Sequence, residues 1–372
     1  MDFPLSSPAS TGQINYLILA LTTRCNLRCR YCYHGNPAAR LDMDPSILER
    51  ALMRAATGNG PLHIQLTGGE PCLVPELIEI ACRLAQQLRR PHTMGIQVNG
   101  TCLNERVINL IRDFQLQLGV SLDGSPRMQE SLRGRASETL RGLMYLEQEQ
   151  IPFRVTSVVS HENVGQLDRL AWLLAAFRQA RGIGLDLLVT KGNCVLGKDA
   201  PQPPSSDELA RGMRSLVKAL EGINSQRQIP LRLREWDLVR RLLASEVDGR
   251  PRLFCQAAQG ASLAVHPDGL CYPCGQSLGD ERFATSLDGP QLPVLPSAFL
   301  RTSGSDCIGC PLENRCPGDC PSRLFYNPAP AHSLACVLYQ SLAAVCVAEH
   351  QAGADTPLSN GWGEERRQQC HF

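Results

Sequence analysis

The sequence predicts an α/β protein: a parallel sheet flanked by helices, followed by a small cysteine-rich domain. Three observations carry this. β-rich runs alternate with amphipathic helical runs from Ile14 to about Thr190, the signature of parallel βα units. At Phe254 the chain changes character: Cys, Pro and Gly crowd together and long periodic runs become scarce. Finally, 372 residues with 43% hydrophobic and 20% charged content can supply a large core and a smaller second unit.

Six strands are expected, in order "YLILALT" (16–22), "LHIQLTG" (62–68), "MGIQVNG" (94–100), "LQLGVSLDG" (116–124), "FRVTSVV" (153–159) and "GLDLLVT" (184–190). Helices are expected between them at Pro45–Ala56, Val74–Arg89, Asn104–Phe114, Ser137–Glu149 and Val164–Arg181. In "PELIEIACRLAQQLRR" apolar residues recur at i, i+3, i+4 and i+7, as in a half-buried helix. Right-handed crossovers then curl the sheet into an open doubly wound form or into part of a barrel. "KGNCVLGKDAPQPPSSDE" reads as a linker, followed by helical segments around 205–223 and 234–245. No internal repeat is visible, and the tail from "GADTPLSNGW" onward is expected to be loosely ordered.

Lys and Arg number 37 against 36 Asp and Glu, a formal net charge of +1. No bulk attraction to nucleic acid or to an anionic membrane is expected. No run is long enough for a transmembrane helix, and "MDFPLSSPASTGQ" lacks the basic region of a signal peptide. A cytoplasmic location follows as an expectation. Seventeen cysteines in a reducing compartment point to metal binding or catalysis rather than to disulfides.

The first cysteine cluster is "LTTRCNLRCRYCYHG", with Cys25, Cys29 and Cys32 directly after strand one. In a βα barrel that is the edge where active-site loops gather. Thiolates are soft ligands for iron–sulfur clusters or zinc. Three thiols suit a cubane with one iron left over. They also suit zinc with a distant fourth ligand such as His34, or plain burial. Polar residues punctuate the following strand ends: Gly68, Gly69 and Glu70 in "LTGGEP", Asn99 in "VNGT", Ser121 and Asp123 in "VSLDG", and Arg133 in "SLRG". Glycine lets a backbone approach a ligand closely, and Glu70 could pair with an ammonium group. The second array runs Cys255, Cys274, Cys307, Cys310, Cys316, Cys320 and Cys336. Its spacing suits two tetrathiolate sites, of iron–sulfur or zinc, and a domain with so thin a core needs such staples.

The first loop resembles the signature of the radical S-adenosylmethionine (SAM) enzymes, Cys-x3-Cys-x2-Cys with an aromatic, here Tyr31, before the last cysteine. The resemblance implies a partial (β/α)6 TIM-like barrel. It also implies a [4Fe–4S] cluster held by Cys25, Cys29 and Cys32, with the free iron taking the methionine end of SAM. The Gly-Gly-Glu-Pro stretch then meets the methionine amino group. Asn99, Ser121 and Asp123 meet the ribose and methionine ends, and Arg133 meets the carboxylate. The second array closely resembles the seven-cysteine SPASM domain, which implies two auxiliary [4Fe–4S] clusters and three clusters in all. One would take Cys307, Cys310, Cys316 and Cys336. The other would take Cys255, Cys274 and Cys320, with either Cys271 or an open iron as the fourth position. Cys72, Cys82, Cys102, Cys194, Cys346 and Cys370 belong to no motif and are read as free thiols.

The domains expected are 1–192 (radical SAM partial barrel), 193–253 (linker and bridging helices), 254–340 (iron–sulfur-stapled SPASM domain) and 341–372 (helix and tail). The implied function is that of an oxidoreductase: a maturase that abstracts hydrogen from a ribosomally synthesised peptide and installs a thioether or carbon–carbon crosslink. A sulfatase-maturating type, oxidising a Cys or Ser of a protein, is the alternative. That branch carries an acidic residue after the "YPC" cysteine, where this chain has Gly275. An electron-transfer or zinc-binding protein is the non-catalytic alternative. Partners expected are a peptide or protein substrate and a reductant such as flavodoxin or ferredoxin. With only a dozen residues before strand one, leader recognition falls to a separate protein, to the 205–250 segment or to the tail. Within that segment "LRLREWDLVRRLLASEVDGR" is basic and amphipathic, suited to a peptide or to a bridging helix.

Overall fold

A computed structural model of the chain describes residues 12–35, 39–197, 199–245, 255–295, 307–328 and 334–352. The first half runs β1 (Tyr16–Ala20), α1 (Pro45–Ala56), β2 (Leu62–Thr67), α2 (Pro75–Gln86), β3 (His92–Val98), α3 (Glu105–Asp113) and β4 (Gln117–Ser121). It continues α4 (Pro126–Leu132), α5 (Ala136–Gln148), β5 (Phe153–Val159), α6 (Leu167–Ala175) and β6 (Ala180–Leu187). Then come α7 (Asn193–Leu196), α8 (Ser206–Asn224), β7 (Arg232–Leu233) and α9 (Arg234–Ala244). The remainder is β8 (Ser262–Val265), β9 (Leu270–Tyr272), β10 (Thr285–Ser286), α10 (Pro321–Tyr326) and α11 (Leu334–Ala352).

The six expected strands form a parallel run, β1 to β6, in chain order. The ten-stranded sheet is open, with β7 beyond β6 at one end. At the other end β8 pairs in parallel with β1, followed by antiparallel β9 and β10. The cysteine-rich half is therefore an extension of the main sheet. Its strand β8 is only four residues long, too short to stand out as periodicity.

Helix starts follow local chemistry. Asp44 caps α1, accepting from the Ser46 N–H at 2.8 Å, and Pro45 opens the helix with its φ already set. Ser205 and Glu208 form a reciprocal capping box on α8. The expected helix Val164–Arg181 is shorter: a 3₁₀ turn at Val164–Gln166 leads into α6, which stops at Ala175, and β6 already begins at Ala180. The apolar runs of α6 and β6 are contiguous, and an apolar run alone does not separate a buried helix from a buried strand.

Alternation along the strands divides the molecule. Leu17, Leu19, Ile64, Leu66, Val120 and Val155 point to the helical side and join one large core. The opposite, concave face of β1 presents Ile18 and Ala20 to a second cluster with Ala264, Tyr272 and Phe283. The C-terminal extension thus covers the concave face at β1. Helix α11 packs on both α8 and α9, and α8 also packs on α6, so the last helix is tied to the barrel layer.

Gly142 on α5 lies against the carbonyl of Gly100, and a Cβ there would stand 2.0 Å from that oxygen. Gly142→Ala gains about 1 kcal/mol of helix propensity but must push two backbones apart. Overpacking of this kind costs about 1–3 kcal/mol. The variant is expected to unfold at lower denaturant concentration than the wild type, as checked by a urea titration.

Candidate active site at the strand ends

The three-cysteine loop leaves β1 and is gripped by backbone on two sides. Gly69 N–H donates to Thr22 O at 2.7 Å and Glu70 N–H to Arg24 O at 2.8 Å. A Cβ on Gly68 would come within 2.5 Å of Thr22 O, and one on Gly69 within 2.1 Å of Arg24 O. The glycines of "LTGGEP" therefore admit the cysteine loop's own backbone, where the sequence suggested a ligand. On the other side Asn193 binds the loop twice, N–H to Cys32 O at 2.9 Å and Nδ2 to Cys29 O at 2.8 Å. Next to it Gly192 has φ +61°, and a Cβ there would meet Cys32 O at 2.3 Å. The expected linker is thus a strap holding the loop. Its Lys191 reaches on to the C-terminal half, donating to Gln276 O at 2.8 Å and Leu278 O at 2.6 Å.

Asp123, fully buried, organises the polar floor. Its carboxylate takes a bidentate pair from Arg133, Nε to Oδ2 at 2.8 Å and Nη2 to Oδ1 at 3.2 Å. It also accepts the Tyr31 hydroxyl and, at 2.9 Å, the Val158 N–H. Arg133, 9% exposed, stacks over the Tyr31 ring at 5.2 Å. Gln129 and Asn163 hold Asp123's own backbone, at 3.1 Å each. Asp123 thus has four protein donors, so its role here is to aim Arg133 rather than to reach a ligand.

Glu70 is buried as well. Oε2 accepts from Asn99 N–H at 2.7 Å and Oε1 from Cys72 N–H at 3.1 Å. Burial raises its carboxyl to about 7, against those two N–H groups, which favour the anion. Asn99 donates to Asn26 Oδ1 at 2.8 Å, and its own oxygen accepts from Thr101 N–H at 2.9 Å. Ser121 accepts from Gln97 Nε2 at 2.9 Å. The strand ends of β2, β3, β4 and β5 are thereby linked side by side.

The thiols fall into three groups. Burial pushes Cys25 up to about 11 and Cys29 up to about 12; Arg133 opposes the shift at Cys29, while Cys25 and Cys32 add to it. Burial likewise raises Cys320, and Cys255 and Cys274 raise it further. Cys316 is pushed up to about 11 by burial, against an N–H from Gly318, with Cys336, Cys310 and Cys307 adding. Each group is close enough to couple, yet among the described residues no three His, Cys, Asp or Glu side chains converge on one metal ion. Cys271 lies apart. It faces the main core, and burial raises its thiol to about 12 beside Arg54, Asp288, Asp268 and Arg50, not beside another thiol. The remaining cysteines are packing residues: Cys72, Cys82, Cys194 and Cys346 are buried, Cys346 accepts from Trp236 Nε1 at 3.2 Å, and Cys102 accepts from Asn26 at 3.2 Å. Cys370 lies outside the described residues.

Residues 19–174 match the model of the Radical SAM superfamily. This stretch is a radical SAM domain. The family implies a [4Fe–4S] cluster and SAM. A serine-type anaerobic sulfatase-maturating enzyme of Klebsiella aerogenes is 27% identical over 363 residues, 87% of this chain and 84% of that protein. An uncharacterized protein of Methanocaldococcus jannaschii is 33% identical over 189 residues, 48% of this chain and 64% of that one. Among solved structures, native anSMEcpe with bound AdoMet superposes with a TM-score of 0.69 at 18% identity, covering 92% of this chain and all (100%) of that one. Streptococcus suis SuiB bound to precursor peptide SuiA gives 0.63 at 17%, covering 86% of this chain and 75% of that one. These likenesses extend the radical SAM fold through the cysteine-rich half. No described helix is long and apolar enough to cross a membrane.

Sequence reasoning missed Asn26, Gln129, Asn163, Lys191 and Asn193. Only Gly192 in "KGN" carried a signal, a glycine where backbones touch. Two outcomes follow. Asp123→Asn strips a buried arginine of its counter-charge and is expected to cost about 3–5 kcal/mol in urea unfolding. Glu70's raised pKa means the fold favours the neutral acid; that stabilisation is complete below pH 4.5 and is lost as pH rises through about 7. Cofactor-free wild type should therefore lose up to roughly 3 kcal/mol relative to Glu70→Gln across that window, read from paired unfolding curves at each pH.

Proposed function

We propose that the chain is a radical SAM maturase that oxidises a peptide or protein substrate. The carrying observation is the coupled trio Cys25, Cys29 and Cys32, with Glu70 beside Cys25 and with Arg133, on its Asp123 mount, beside Cys29. Thiols with raised pKa values are poor nucleophiles in isolation but good ligands once a cluster takes the thiolate. When bound, the cluster and SAM supply a 5′-deoxyadenosyl radical able to take hydrogen from unactivated carbon. The protein's own share is binding and orientation. Arg133 keeps unused donors for a carboxylate while Asp123 fixes its plane. Glu70 keeps lone pairs for an ammonium group. The strap at Lys191–Asn193 holds the loop by the carbonyls of Cys29 and Cys32.

The groups Cys255/Cys274/Cys320 and Cys307/Cys310/Cys316/Cys336 are proposed to hold two auxiliary [4Fe–4S] clusters. Cys271 is left out, since it sits on the far face of β9; the first auxiliary site then has an open iron. Tyr33 is half-buried beside both Cys32 and Cys274, so the SAM-binding and first auxiliary groups are near neighbours. That proximity suits removal of a second electron from the substrate, and hence net oxidation.

The substrate reading preferred is a ribosomally made peptide that receives a thioether or carbon–carbon crosslink. At Gly275 a Cβ would find only Ile18 Cδ1 and the Tyr33 hydroxyl, each at 3.8 Å. An acidic side chain would fit there, and the chain does not supply it, which speaks against sulfatase maturation. The sulfatase-type reading is favoured by the Klebsiella relative, which is matched over most of its length. A cytoplasmic setting, a flavodoxin or ferredoxin reductant and a separate leader-binding protein belong to the same proposal.

Anaerobically reconstituted protein is expected to bind about twelve irons and to release 5′-deoxyadenosine from SAM under reduction. Cys29→Ala should abolish that release and keep the auxiliary iron; Cys271→Ala should lose no iron. Retained cleavage in Cys29→Ala would overturn the assignment. Tandem mass spectrometry separates the substrate readings: a co-expressed short peptide lighter by two hydrogens whose fragments show two side chains joined, and still joined after thiol reduction, supports the first, and oxidation confined to a single Cys or Ser of a sulfatase the second.

A further inference from the structure

The concave face of the sheet carries chemistry that the radical-generating site does not use. Along β5, Phe153, Val155, Ser157 and Val159 are buried, while Arg154, Thr156 and Val158 are part-exposed on the other side. A row in register crosses this face: Gln97, Gly119, Arg154, Gly182 and Arg232. Glycine thus flanks Arg154 on both neighbouring strands. A Cβ on Gly182 would stand 3.4 Å from Arg154 Nη1 and 2.9 Å from Arg232 O. Gly184 clears space in the same way for Arg234, whose Nη1 would lie 3.0 Å from a Cβ.

The carboxylates of this face are already engaged. Asp186 Oδ1 accepts from Arg234 Nη2 at 2.8 Å and Glu235 Oε1 from Arg234 Nε at 2.7 Å. Asp237 Oδ2 accepts from Arg232 Nε at 2.8 Å. The Arg154 guanidinium makes no hydrogen bond and no ion pair among the described residues. Burial, with the charges of Arg232 and Arg234 outweighing that of Asp237, also holds its pKa below the usual value. A planar five-donor fork, half-buried and unfilled, is the protein group best matched to a carboxylate.

We propose that Arg154 is a substrate anchor: it binds a carboxylate of the peptide, from an Asp or Glu side chain or from the chain terminus. This rests on the peptide-maturase reading. Val158, on the same strand, donates to Asp123 under the radical site. Arg154 lies four residues below it, about 13 Å along a strand. The anchored carboxylate would therefore hold the peptide with its reacting carbon about three to four extended residues away, near the strand ends.

The test titrates SAM-loaded holoenzyme with three probes: acetyl-Gly-Gly-Asp-Gly-Gly-amide, its Asn counterpart, and acetyl-Gly-Gly-Asn-Gly-Gly with a free terminal carboxyl. Wild type should bind one of the acidic probes at least tenfold more tightly than the neutral amide, and which one identifies the source of the carboxylate. Arg154→Gln should erase that preference and Arg154→Lys should retain part of it, with thermal melting verifying that both variants are folded. Equal binding of acidic and neutral probes by wild type, no binding of any probe, or an unchanged preference in folded Arg154→Gln would overturn the proposal. 5′-deoxyadenosine release is assayed on the same wild-type preparation. Its absence would defeat the maturase reading and leave a measured carboxylate preference standing.

Discussion

The site depends on one buried carboxylate. Asp123 sits beyond β4 with Arg133, Tyr31 and the Val158 N–H all directed at it. With Asp123 itself they join four separate pieces of chain: the end of β4, the cysteine loop, the turn after α4 and β5. A buried ion pair gives little net stability, because desolvation offsets most of the Coulombic gain. Its value here is geometric. A bidentate pair fixes the plane of the guanidinium, and a hydroxyl bond to the same carboxylate fixes Tyr31, the residue next to Cys32.

The second constraint is steric. A loop that must present three thiols cannot also fold on a hydrophobic core of its own, so it is clamped by backbone. Gly69 and Gly192 meet it from opposite sides, at carbonyls of Arg24 and Cys32. Such contacts need the absence of a Cβ and bring N–H and C=O groups into pairing distance, which satisfies the loop's buried polar backbone. The strap then passes to the C-terminal half through Lys191, and Asn327 returns the tie, accepting from Thr190 N–H and donating to Leu188 O, each at 2.8 Å. The thiol groups of the two halves are in this way held in one frame.

The alternation of six strands and five helices was legible because each strand puts a full apolar stripe on the helical side. The clustering of the cysteines was visible in their spacing, while the division of the later seven into two sets came from the resemblance to the SPASM domain. Other features were not. The extent of α6 was lost because its apolar run abuts β6. Strand β8 escaped because four residues carry no period, and its parallel seat beside β1 is a long-range pairing that no local pattern encodes. Glu70 and Asp123 were read as ligand contacts from their strand-end positions, whereas both are first of all acceptors for backbone and arginine. Sequence places a carboxylate at a strand end; only the fold reveals which donors have already claimed it.

The same limit governs Arg154. In "FRVTSVV" the arginine reads as the exposed residue of a half-buried strand, a solvated charge of no consequence. In the sheet that side is shared with β4, β6 and β7, and the arginine is only part-exposed there. Gly119 and Gly182 read as weak points in strands until register sets them on either side of it. Together they leave a half-buried arginine with glycine on both neighbouring strands, on the face turned away from the helices. A sheet whose helical face is largely apolar leaves its other face for chemistry, and there the residue without a partner among the described residues carries more functional information than those already paired.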